Sequence, residues 1–121
     1  MRKVHVTVIT PFAGEFEFLQ DYLGKRLQKE GLEAVFEQIA FWDGDAGTLS
    51  RFGMLVVGNL PLDLAEKLLR AGKEYIYFAV NRSPDIHAVD LPPEEIRKVG
   101  YKMYKVKEVK LSPVEGGCSV C

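Results

Sequence analysis

The chain has 121 residues, enough for one domain that buries roughly two thirds of its extended surface without metal or disulfide staples. Its composition, 47% apolar and 27% charged, is that of an ordinary globular protein and excludes a disordered one. Sixteen basic residues against seventeen acidic, a net charge of −1, argue against a chain-wide footprint for nucleic acid or anionic lipid.

Arg2 and Lys3 precede an apolar stretch that His5 and Thr7 interrupt and that runs into Glu15 and Glu17, so no secretory signal is expected. Val4 to Thr10 alternates and is rich in β-branched residues, a strand buried largely on both faces and ended by Pro11, which cannot donate to a ladder. From Glu15 to Glu30 the period becomes helical. Phe16, Leu19, Leu23 and Leu27 share one face, and Gly31 is suited to the position after the helix. Glu33 to Phe41 reads as a second strand, followed by a polar turn from Trp42 to Gly47.

Met54 to Val57 is a short apolar strand closed by Gly58 and Asn59. Pro61 opens a helix whose apolar set is Leu64, Ala65, Leu68 and Leu69, with Gly72 as its stop. Tyr75 to Val80 is the longest apolar run, six residues against the ~18 of a membrane span. Pro92 to Gly100 is a short helix of about two turns, with Asp90 or Leu91 before it. Tyr101 to Leu111 is the final strand. Its Lys102, Lys105, Lys107 and Lys110 are the usual protection of an exposed sheet edge, and they make a poor nucleic-acid patch without arginine or a glycine-rich loop.

Two helix-to-strand units, LQKEGLEAVFEQI and LLRAGKEYIYFAV, imply right-handed crossovers. The expected fold is α/β, a three-layer sandwich with a mainly parallel sheet of about five strands, flavodoxin-like or Rossmann-like. The second-to-third strand link leaves an antiparallel pairing or a thioredoxin-like arrangement open. Residues 1–111 are expected to form a single α/β domain, and 112–121 a flexible C-terminal tail. Few Asn and Gln (Asn59, Asn81, Gln20, Gln28, Gln38) beside many charged residues suggest a heat-adapted source.

In an open α/β sheet, ligands bind beyond the carboxyl ends of the strands. The candidates there are Thr10 and Gly14 after the first strand, Gly58 and Asn59 after the third, and Asn81, Arg82, Ser83, Asp85 and His87 after the fourth. Arg82 is the residue to fork onto a carboxylate or phosphate. Neither the dinucleotide fingerprint nor the phosphate-cradling loop of nucleotide hydrolases is present, and Asn, Ser, Pro and Asp also serve as plain turn formers. Asp43-Gly-Asp-Ala-Gly47 begins like a calcium loop, but Gly47 and Met54 stand where acids are needed. Ser50 and Ser83 lack a nucleophile-elbow context, and neither histidine lies near a cysteine in sequence.

Both cysteines, Cys118 and Cys121, stand in a C-x-x-C at the carboxyl terminus. In a reducing compartment such a pair points to metal or redox chemistry rather than to a structural disulfide. With three residues after Cys118 in the sequence, no helix dipole is expected to lower its pKa, and only about 3% would be thiolate at neutral pH, which weakens a fast dithiol oxidoreductase. Metal coordination deprotonates a thiol outright, and a closed zinc site needs four ligands. The other two would come from a homodimer partner, from His87 with an Asp, or from a different redox or metal protein.

Three expectations follow. The first is a cytoplasmic protein using Cys118 and Cys121 for zinc or iron–sulfur ligation or for thiol exchange, with no nucleic-acid or membrane partner. The second is a small-molecule-binding or interaction module in the loops after strands 1, 3 and 4. The third is an enzyme in the same loops, with Asp85 or His87 as acid/base.

Overall fold

The structure, a computed structural model, describes residues 2–83 and 89–112. Within them five strands and four helices follow one another as β1 (Arg2–Ile9), α1 (Ala13–Lys29), β2 (Leu32–Ile39), α2 (Ala46–Leu49), β3 (Leu55–Gly58), α3 (Leu62–Arg70), β4 (Glu74–Val80), α4 (Pro93–Val99) and β5 (Tyr101–Val106). The strands form one sheet in the order β2-β1-β3-β4-β5. β1 runs parallel to both β2 and β3, and β3 runs parallel to β4, whereas β4 and β5 are antiparallel. The protein is therefore α/β, with a mixed rather than wholly parallel sheet.

The antiparallel last strand has a visible cause. Asn81 N–H donates to Gly100 O at 2.8 Å, so the connection from β4 begins and ends at the same edge of the sheet. Gly100, at φ 86°, then turns the chain into β5, whose first residue Tyr101 faces Val80, the last of β4. A strand that starts at the carboxyl edge must run backwards. The strand also stops at Val106, short of the expected Leu111.

Alternation along the strands divides the core in two. Val6, Val8, Leu55, Val57 and Phe78 face α1 and α4, where Phe18, Leu19, Leu23 and Ile96 close over them. Ile9, Val56 and Tyr75 face the other way, against Leu64, Ala65 and Leu68 of α3 and against Trp42 and Phe52. Each fully buried aliphatic or Phe side chain contributes about 1.5–3 kcal/mol, so these two layers are the main source of favourable free energy in the fold. Phe18, at 1% exposure, is buried in the first layer although it was not among the residues expected on the apolar face of α1; Phe16 and Leu27, which were, are partly buried and pack against that layer.

Glycine ends α1 and α3 as the sequence implies: Gly31 and Gly72 follow the two helices at φ 80° and 83°. The polar turn expected from Trp42 to Gly47 runs into α2, one turn of helix before β3. Asp45 caps it, its carboxylate accepting Thr48 N–H at 2.8 Å and the Thr48 hydroxyl at 2.9 Å. These bonds hold the Asp45 carboxyl below the usual carboxylate range. The second acid of the failed calcium loop is thus a helix cap.

Candidate functional site

β1 and β3 are neighbours, but their outgoing connections leave to opposite faces, β1 into α1 and β3 into α3. The two loops part, and a crevice opens beyond their carboxyl ends, as at any reversal of strand order. An open cleft of about 580 Å³ lies there, within the range of small-molecule sites. Volume alone does not single it out, since grooves of about 670 and 630 Å³ lie along α1 and at the opposite edge. Its place on the sheet and its aromatic walls do. Phe12, Phe41 and Trp42 line it, with Leu60 and Leu64 from the α3 side.

The wall formed by the β1–α1 corner is a closed polar chain. The Thr10 hydroxyl accepts Phe12 N–H at 3.2 Å and donates to Glu15 Oε1 at 3.0 Å. The other Glu15 oxygen pairs with Arg82 Nη2, and Arg82 Nη1 donates to Val89 O. The guanidinium carbon also stands 4.5 Å above the centroid of the Phe12 ring. Arg82 and Glu15 are 11% and 13% exposed, so this pair is screened far less than one on the open surface.

The N-terminus of α1 lies beside that corner. Phe12, its first flanking residue, has no side chain that can cap. The carboxylate of Asp90 takes that place from 76 residues away, accepting Gly14 N–H at 2.9 Å and Ala13 N–H at 3.2 Å. The chain comes so close that a Cβ on Gly14 would lie 1.8 Å from Leu91 O. Glycine is required there by contact alone. Asp90, expected to precede α4, caps a different helix.

The opposite wall is the loop from Gly58 to Pro61. It rests on Tyr75, whose buried hydroxyl donates to Gly58 O at 2.9 Å and accepts Leu60 N–H at 3.0 Å. Burial pushes the Tyr75 phenol up from its ordinary pKa, with the Leu60 amide pulling the other way. Trp42 is 3% exposed and donates its indole N–H to Asp45 O at 3.0 Å, so one ring edge belongs to the core and another part to the cleft.

Among the residues expected to bind a ligand, Thr10, Asn59 and Arg82 line this cleft. Gly14 lies under Asp90 and Leu91, and Gly58 is buried with its carbonyl on Tyr75. Asn81 and Ser83 are exposed and outside the lining. Asp85, His87, Cys118 and Cys121 lie outside the described residues. Residues that the sequence did not mark, Asp63, Glu15 and Tyr75, build or support the walls. Tyr75 and Asp90 left no local signal, since their partners are distant in the chain.

Among the described residues no three or more His, Cys, Asp or Glu side chains are grouped to hold a metal ion. Nor, among them, is any helix long and apolar enough to cross a membrane. No family model, curated protein or solved structure matches the chain.

Proposed function

We propose that this chain is a small-molecule-binding module of the cytoplasm, with its site in the cleft beyond the carboxyl ends of β1, β3 and β4. The observation that carries the reading is the coincidence of an aromatic-walled cleft of about 580 Å³ with the reversal of strand order at β1 and β3. The order 2-1-3-4-5 is that of flavodoxin-like sheets, and we assign the fold to that type with its last strand reversed.

The rigidity of both walls supports the assignment. Binding loses less free energy to ordering when the walls are already held, here by the Thr10–Glu15–Arg82 chain on one side and Tyr75 on the other. A nuclear magnetic resonance fragment screen tests the reading. Fragments that bind should perturb the Trp42 indole and the amides of Phe12 and Leu60 together. Asn59→Phe, which enlarges an exposed side chain of the cleft lining, should abolish those shifts without lowering the melting temperature. Hits scattered over the surface, or hits indifferent to Asn59→Phe, would remove the proposal.

A second reading rests on the spacing of Cys118 and Cys121: zinc or iron–sulfur ligation, or thiol exchange, shared with a second copy or a redox partner. Elemental analysis and molar mass of anaerobically purified protein separate the two. About half a zinc per chain in a dimer would favour the thiols. Cleft binding that survives Cys118→Ser/Cys121→Ser would leave the cleft as the functional site.

A further inference from the structure

We infer that the cleft selects an organic cation with a flat apolar body and rejects phosphate-bearing ligands, an inference that rests on the cleft being the binding site. In sheets of this order a phosphate is ordinarily received by the N-terminus of the helix after the first strand. Here the amides of Ala13 and Gly14 already hold the Asp90 carboxylate, and Leu91 O stands where any substituent on Gly14 would go. The anion seat is filled by the chain's own carboxylate, held in the same backbone geometry that a bound anion would need.

Among the described residues Arg82 is the one cation of the lining, and it is paired with Glu15, bonded to Val89 O and laid over Phe12. Two further carboxylates of the described lining, Asp43 and Asp63, are both exposed. With Glu15 offset by Arg82, these leave the described lining with a net of two negative charges. The nearest lysine on α3, Lys67, donates to Gly44 O at 3.4 Å and is not part of the lining. An incoming phosphate would meet filled amides, a guanidinium already engaged and two carboxylates.

A cation meets the reverse. Phe41, 68% exposed, belongs to the same lining as the two acids, and aromatic faces attract cations through their quadrupole. Together they suit a planar body carrying an ammonium or amidinium group. The acids do not define the site, which the cavity does; they set the sign of the charge it accepts.

Three probes of one shape test this: benzamidine, benzamide and benzoate, with AMP and inorganic phosphate beside them, each at millimolar concentration. The indole resonance of Trp42, the chain's single tryptophan, reports the cleft without ambiguity. Benzamidine should shift it saturably and benzamide more weakly, while benzoate, AMP and phosphate should leave it unmoved. Asp43→Asn/Asp63→Asn should weaken benzamidine roughly three- to tenfold and leave benzamide unchanged, as expected for two exposed charge contacts. The carboxamide that replaces the Asp43 carboxylate keeps an oxygen to accept the Asp45 N–H, so the loop retains that bond. Benzoate, AMP or phosphate binding in the cleft at least as tightly as benzamidine would overturn the inference while keeping the cleft as a site. Silence from all five probes would overturn both.

Discussion

Seventeen residues of α1 and seven of α4 cover one face of the sheet, while the other is covered by four residues in α2, nine in α3 and the loops between. The first face is closed by ring against ring. Phe18 meets Tyr101 at 4.9 Å and Phe78 at 5.8 Å between centroids, and Arg97 lies over Phe18 at 5.5 Å. The second face is closed by buried hydroxyls reaching for loop backbone. Thr7, wholly buried, donates to Glu37 at 2.7 Å and accepts Gly53 N–H at 2.8 Å, and Tyr75 bridges Gly58 and Leu60. A long helix satisfies its own backbone and needs only apolar contact, whereas short elements joined by loops carry polar groups that must find partners inside the fold. The cleft lies where the two constructions meet, with a wall from each.

Truncating the ring cluster should have the largest effect. Phe18→Ala removes its central ring and should lower stability by about 3–5 kcal/mol in urea titration, the range for a buried aromatic. If the loss is no greater than that of one buried hydroxyl, the contrast between the faces fails.

Removing a hydroxyl comes next. Tyr75→Phe leaves Leu60 N–H and Gly58 O without that partner and should cost about 1–3 kcal/mol. The pH dependence sharpens the point. The folded phenol is pushed above its ordinary pKa, so its contribution is fully present below that ordinary value and is lost as pH rises through the folded one. Tyr75→Phe should therefore flatten the alkaline limb of the stability curve. Tyr101, raised chiefly by burial as well, will leave part of that limb in place. Because Tyr75 holds the Gly58–Pro61 wall, cleft binding should weaken in this variant, while in Phe18→Ala it should follow the folded fraction alone.

The smallest effect belongs to Asp45, which caps α2 at the surface of the second face. Its carboxyl is held below the ordinary pKa by the Thr48 amide, so its contribution is present above the ordinary value and is lost as pH falls through the folded one. Asp45→Asn should remove that acid-side loss and leave the melting temperature at neutral pH nearly unchanged. A steep fall at neutral pH would show that α2 carries more of the fold than a single turn should.

Much of the frame was legible because it depends on neighbours in the chain. The 3.6-residue period from Glu15 to Leu27, the stops at Gly31 and Gly72, and the apolar run of β4 are local facts. α2 left no such trace because four residues show no period, and Phe18 none because a residue next to Leu19 does not fit a single narrow stripe. The cleft was half visible. Turn-forming residues after the strands marked where it would open, and Thr10, Asn59 and Arg82 do line it. What those residues do there was not readable, since Arg82 meets Glu15 across 67 positions and Gly14 meets Asp90 across 76.

By itself the sequence determined the α/β class, the order of the principal elements and the apolar faces they bury, because propensity, periodicity and turn chemistry act over a few residues. The tertiary structure alone decided that β5 runs backwards, that Asp90 fills the seat at the head of α1, and that the described lining of the cleft holds Glu15, Asp43 and Asp63 against one arginine. Each of these depends on which distant groups the packed sheet brings within hydrogen-bonding distance, and no local pattern encodes that.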